Sequence, residues 1–137
     1  VIDGELKEVV NYPLLIENGV LSIMVAHIAI ENNPTYSTNG LPSTCSKKIV
    51  SSLLRDSLNF KGIIVTDAMG MGGVVKVPNS SLKAIEAGCD ILLMPVDARK
   101  AHQEIWDEFK NGKEDFRNSV LESAKRIIRM KICLGLI

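Results

Sequence analysis

Phe60-Lys61-Gly62-Ile63-Ile64-Val65-Thr66-Asp67-Ala68-Met69-Gly70-Met71 is the stretch on which the fold turns. Lys61-Gly62 reads as a turn, and Ile63 to Val65 as a β-branched strand short and apolar enough to be covered on both faces. Asp67 is expected just past its carboxyl end. In parallel α/β folds that is where ligands bind, because the loops there vary while the strands hold their roots rigidly. The bare position also suits a helix N-cap, since an aspartate accepts from the first free N–H groups of a helix. Gly70, Gly72 and Gly73 favour the ligand reading, because glycines start helices poorly and let a loop approach a ligand closely.

On either side of this stretch, helices and strands alternate, which predicts βα units and a parallel sheet. Glu5 to Ile16 is a predicted helix, with Val9, Val10, Leu14 and Leu15 on one face and Pro13 kinking it or shifting its boundary. Gly19 ends it, and Val20 to Ala26 is the first strand. Glu31 to Pro42 has the Asn, Pro, Thr, Ser and Gly density of a loop, longer than an ordinary connection. Ser46 is the expected N-cap of a helix in which Ile49, Val50, Leu53, Leu54 and Leu58 recur at the helical period, closed by Asn59. Ser80 or Ser81 should cap a short helix ending at Gly88, and Ile91 to Met94 is the third strand, stopped by Pro95. Asp97 caps a polar helix that Asn111-Gly112 breaks. The last helix, Asp115 to Leu134, carries Val120, Ala124, Ile127, Ile128 and Met130 between basic residues.

The 137 residues are one domain's worth, 46% hydrophobic and 23% charged, the profile of a folded globular chain. Sixteen basic and sixteen acidic side chains cancel, with no basic stripe, so neither nucleic acid nor a membrane surface is an expected partner. The apolar run Val20 to Ile30, broken by Ser22 and His27, is too short to span a bilayer. Cys45, Cys89 and Cys133 are odd in number and far apart, which argues against a disulfide framework or a zinc site, and they read as small buried apolar residues. No phosphate-binding glycine fingerprint is present, and no metal or cofactor is expected. The opening Val1-Ile2-Asp3-Gly4 lacks a methionine and reads as internal.

Several strings, in order, resemble the barrel domain of the family 3 glycoside hydrolases, particularly the β-N-acetylglucosaminidase branch. Ile23-Met24-Val25-Ala26-His27-Ile28 is similar to that family's sixth barrel strand, and Leu41-Pro42-Ser43 with Ser46-Lys47-Lys48-Ile49-Val50 to the helix after it. Phe60 to Met71 is similar to the seventh strand and nucleophile loop, and Ala84-Ile85-Glu86-Ala87-Gly88-Cys89-Asp90-Ile91-Leu92-Leu93-Met94-Pro95 to the eighth strand with its lead-in helix. The closing helix is matched by Ala124 to Leu136. Cys45, where the family usually has leucine, Asn59, where glycine is common, and Val77-Pro78-Asn79-Ser80 depart from the pattern.

The resemblance implies a fold and a chemistry. A (β/α)8 barrel takes about 250 residues and eight strands, so 1–137 with three parallel strands and flanking helices would be the C-terminal part of such a barrel, incomplete as a barrel. It would need the missing N-terminal portion, or association with itself, to cover its edges. Asp67 would be the nucleophile of a retaining glycosidase, attacking the anomeric carbon of a terminal β-N-acetylglucosaminide or related β-glycoside to form a glycosyl-aspartate. The partner carboxyl-type acid should stand about 5 to 5.5 Å away, but the family's histidine-rich segment that leads to the acid/base is not in this sequence, so the piece alone is expected to be inactive. Donors or positive charge are expected around Asp67 to keep it ionised.

Other residues carry two readings each. Met71 can line the sugar subsite, and Met69 less readily, while methionines beside a strand also fill core gaps. His27, at a strand's carboxyl end, can face the substrate or be a satisfied structural histidine. Trp106, Phe109 and Ile105 form a small apolar patch expected to pack on the sheet. Ser43, Thr44 and Ser46 lack the His/Asp company that activates a hydroxyl. Two other function classes compete: a receiver-like signalling domain, which would need an acidic pair where Ala26-His27-Ile28 stands, and a remnant that binds sugar without catalysis.

Overall fold

A computed structural model describes every residue, Val1–Ile137. Five parallel-paired strands, one π-helix and four α-helices make up the chain, in the order β1 (Ile2–Asp3), α1 (Tyr12–Glu17), β2 (Ser22–Val25), β3 (Ile30–Glu31), the π-helix Lys48–Ser57, β4 (Ile63–Ala68), α2 (Ser80–Ala87), β5 (Ile91–Leu93), α3 (Ala98–Asn111) and α4 (Glu114–Cys133). Single 3-10 turns at Lys7–Val9 and Ser43–Cys45 complete it. The three predicted strands form one parallel sheet, β2-β4-β5, in the order in which they occur along the chain. A second parallel pair, β1 with β3, was not expected. Its two-residue strands are too short to carry a period.

The pleat of the main sheet sorts its side chains. Ile23 and Ile64 lie side by side, as do Val25 and Thr66, and all four are buried on the helix-covered face. There Ile49, Val50, Leu53 and Leu54 of the π-helix, with Ala84 and Ala87 of α2, complete one core. Met24, Val65 and Ile91 register across the other face, where Met24 is 52% and Ile91 38% exposed. On the central strand Ile63, on this same face, is still buried and Val65 is half-buried, so the expected cover on both faces holds at Ile63 and thins toward the carboxyl end. No helix is long and apolar enough to cross a membrane.

Several local expectations are corrected. Glu5 to Ile16 is not one helix: the 3-10 turn ends at Val9, α1 starts at Tyr12, and Pro13 sits in its first turn, where its missing N–H costs nothing. Val10, Leu14 and Leu15 are exposed instead of forming a buried face. Lys48–Ser57 winds wider than an α-helix at its end, Leu58 N–H donating to the Leu53 carbonyl at 2.9 Å, yet buries the expected residues. Ser46 does not cap it with its side chain, and its carbonyl instead accepts from Ile49 and Val50 N–H. Asn59 does close it, at φ 53°. Neither Ser80 nor Ser81 is a cap: both lie inside α2, entered through a left-handed Asn79 with no side-chain bond.

The strand after α2 ends at Leu93, with Met94 already left-handed at φ 45° and mostly exposed. Asp97 caps α3 as expected, its Oδ1 accepting from Lys100 N–H at 2.9 Å. In α4 Phe116 and Ser123 are buried, while Ala124 and Ile128 point to solvent. Trp106 does not pack on the sheet; it stands 47% exposed, stacked on Phe109 at 5.6 Å, with Lys110 over its ring. Cys45 and Cys89 are buried as expected, but Cys133 is exposed.

Candidate active site

Asp67 lies within β4 as its penultimate residue, one step earlier than the sequence suggested. Val65 pairs with Ile91 and Ala68 with Leu93, so β4 carries one residue more than β5 over this interval, a bulge at Thr66-Asp67. The ladder is repaired by a side chain: buried Thr66 accepts from Leu93 N–H through Oγ1 at 3.0 Å, and Met69 N–H donates to the Leu93 carbonyl at 2.9 Å. Such bulges re-aim side chains at the rim of a sheet. Asp67 is half-buried, and its Oδ1 accepts from Ala68 N–H at 2.7 Å. Of the donors expected around it, this is the one the chain supplies, and no helix starts here to be capped.

The loop that follows is built from turns. Met71 N–H returns to the Ala68 carbonyl at 3.0 Å, and Val74 and Val75 N–H return to the Met71 carbonyl. Met69 is 2% exposed and belongs to the core, whereas Met71 is 47% exposed beside the strand end. A Cβ on Gly70 or Gly72 would meet nothing, but one on Gly73 would come within 2.9 Å of the His27 carbonyl oxygen.

His27 does not offer a free nitrogen to a ligand. Its Nε2 lies 3.0 Å from the Ala68 carbonyl oxygen and its Nδ1 2.7 Å from Thr44 Oγ1. A carbonyl only accepts, so Nε2 carries hydrogen, and in the neutral ring Nδ1 accepts from the Thr44 hydroxyl. Thr44 is fully buried in the turn before the π-helix. Ser43 donates its hydroxyl to the Ile28 carbonyl, so neither hydroxyl is poised as a nucleophile. His102 is solvent-exposed on α3.

A second carboxylate was missed by sequence reasoning. Asp90, immediately before β5, has a fully buried side chain. Its Oδ2 accepts from Arg55 Nη2 at 2.6 Å and Ile64 N–H at 2.8 Å, and its Oδ1 from Ser123 Oγ at 2.6 Å and Arg126 Nε at 3.0 Å. Arg55 also donates to the Phe60 and Gly62 carbonyls. Burial lowers the Arg55 pKa while the Asp90 charge raises it, and the guanidinium stays charged. The available signal was a lone acid set in the apolar run Cys89-Asp90-Ile91, which can be buried only if paired.

Asp67 lines none of the five main clefts of the chain. One of about 420 Å³ lies between the Val75–Ser81 segment and the start of α3, and another of about 290 Å³ opens between Leu21, Gly62 and the end of α4. No three His, Cys, Asp or Glu side chains gather as a metal site would require.

Residues 5–130 match the family described as the glycosyl hydrolase family 3 N terminal domain. The chain belongs to that family. Among relatives of this family 3 chain, the Beta-N-acetylglucosaminidase/beta-glucosidase of Cellulomonas fimi is 30% identical over 145 residues, covering 93% of the chain and 24% of the relative. Among solved structures, the Beta-glucoside phosphorylase BglX superposes with a TM-score of 0.78 at 28% identity, over 91% of this chain and 24% of that one. The Beta-N-acetylhexosaminidase of Beutenbergia cavernae superposes at 0.72 and 28% identity, over 88% and 36%. The chain thus spans about a quarter to a third of the length of these relatives.

Proposed function

We propose that residues 1–137 are the C-terminal part of a family 3 (β/α)8 barrel and carry the nucleophile of a retaining glycosidase acting on terminal β-N-acetylglucosaminides or related β-glycosides. The observation that carries this reading is Asp67, half-buried with a single internal hydrogen bond, on a bulge at the carboxyl end of the central strand of a family 3 chain. Three parallel strands in chain order with Met24 and Ile91 open on one face support the barrel assignment, because that face is the one a closed cylinder would cover.

In the reaction Asp67 attacks the anomeric carbon as the leaving oxygen takes a proton from an acid about 5 to 5.5 Å away, and water then releases the sugar from the aspartyl ester. The acid comes from a segment of the full-length protein outside these residues, so the piece alone is inactive. Met71, exposed in the turn whose N–H returns to the Ala68 carbonyl, is the residue of this chain we assign to contact with the sugar. The receiver-like reading loses support from the strand order, which runs β2-β4-β5 without the reversal of a doubly wound sheet.

The test is mass spectrometry of the full-length protein after reaction with a slow 2-fluoro sugar. The label is expected on the peptide holding Asp67, and a label on any other residue ends the proposal.

A further inference from the structure

His27 touches the Met69–Gly72 loop at both ends. At the start, its Nε2–H donates to the Ala68 carbonyl, whose other lone pair takes Met71 N–H, both at 3.0 Å. At the end, Gly73 lies so close to the His27 backbone that no Cβ fits between them. The N–H of the same residue, on the other side of its Cα, donates to Asp67 Oδ1 at 2.7 Å. The acceptor-only Ala68 carbonyl selects the tautomer with hydrogen on Nε2, and behind the ring the Thr44 hydroxyl, 2.7 Å from Nδ1, donates to the nitrogen left bare and fixes the ring plane. With hydrogen on Nδ1 instead, the Nε2 lone pair would face the Ala68 oxygen.

We propose that His27, its ring held by Thr44, is a positioning residue that clamps the Ala68 carbonyl and, through the backbone of that residue, fixes both the Asp67 carboxylate and the Met71 loop. This rests, for its kinetic consequence, on Asp67 acting as the nucleophile. The clamp connects three elements that are far apart in the chain: the end of β2, the turn before the π-helix, and the bulged end of β4. A fixed carboxylate matters here because a nucleophile misplaced by about 1 Å can lose on the order of 10²-fold in rate.

The experiment compares His27→Leu, His27→Gln, Thr44→Val and Thr44→Ser in the full-length protein, by steady-state kinetics on a nitrophenyl N-acetylglucosaminide and by hydrogen exchange of the Met71 amide. His27→Leu is expected to lower kcat on the order of 10²-fold with little change in KM, and to speed Met71 exchange. His27→Gln, whose amide can donate where Nε2–H does, should recover most of both. Thr44→Val is expected to lower kcat roughly fivefold to tenfold, the worth of one hydrogen bond, and Thr44→Ser to restore it. Being nearly isosteric, Thr44→Val also serves if His27→Leu does not fold. Unchanged Met71 exchange in His27→Leu or Thr44→Val overturns the clamp, as does a raised KM at constant kcat, which would make His27 a substrate ligand. The fluoro-sugar label tests the nucleophile reading by itself: a label away from Asp67 ends that reading, while Met71 exchange still decides the clamp.

Discussion

Two aspartates of the same sheet stand at opposite ends and in opposite states. Asp90, at the amino end of β5, is sealed from solvent and accepts from two arginines, a serine and a backbone N–H. Asp67, at the carboxyl end of β4, is half-buried and accepts from its own neighbour. Carboxylate oxygens have about four lone-pair sites between them. Asp90 has filled its sites and is committed to holding the π-helix, β4, β5 and α4 together. Asp67 has capacity to spare, the condition a nucleophile needs. The division follows the general asymmetry of parallel α/β folds, in which one end of the strands carries stability and the other chemistry.

The sharpest way to break this contrast is to remove each acid in turn. In the full-length protein, Asp67→Asn is expected to lower kcat by at least about 10³-fold, while the thermal midpoint barely moves. A surviving kcat within tenfold of wild type would place the chemistry elsewhere. Asp90→Ala should do the reverse. It leaves the partly buried Arg55 and Arg126 without their partner, at up to about 3 kcal/mol of stability, read from the denaturant midpoint, with kcat per folded molecule unchanged.

A third prediction sharpens the closed end through pH. Burial, aided by the Asp90 charge, pushes the neighbouring Cys89 thiol up to about 12 from an ordinary value near 9. Between those values the unfolded chain has lost the thiol proton and the folded chain keeps it. The unfolded state then binds fewer protons, so stability falls as pH rises, by about 1.4 kcal/mol per unit at most. Denaturant titrations of wild type and Cys89→Ala from pH 8 to 11 should show any stability advantage of the wild type shrinking as pH rises. A constant gap would mean that Cys89 ionises in the native state as freely as in the unfolded chain.

The smallest effect comes from an acid of a third kind. Asp97 also accepts from one backbone N–H, that of Lys100, but as a helix cap. Asp97→Ala is expected to cost about 1 kcal/mol in thermal stability and to leave turnover alone. A fall in kcat like that expected of Asp67→Asn would mean that Asp97 is more than a helix cap.

Much was legible because its causes are local in the chain. The β-branched run at Ile63-Ile64-Val65, the apolar period from Ile49 to Leu54, Asn59 in a left-handed turn and Asp97 at a helix start each follow from the residue's own stereochemistry and its near neighbours. So did the family, whose strings lie in order along the chain. What misread was also local in form but tertiary in cause. Leu14 and Leu15 have an apolar pattern yet nothing in this chain covers them, and Ser46, Ser80 and Ser81 have the chemistry of caps, but Ser46 serves its helix through its carbonyl and the other two already lie inside α2.

The sequence by itself determined the three strands of the main sheet, the α/β class and which aspartate stands near the carboxyl end of the central strand, because burial patterns and turn preferences are written within a few residues. Only the tertiary structure decided what the polar side chains do. The bulge that carries Asp67, the saturation of Asp90 and the grip of His27 on the Ala68 carbonyl all depend on partners 25 to 41 positions away. A hydrogen bond is directional and of short range, so its existence is set by where the folded backbone brings a donor, which residue order does not state.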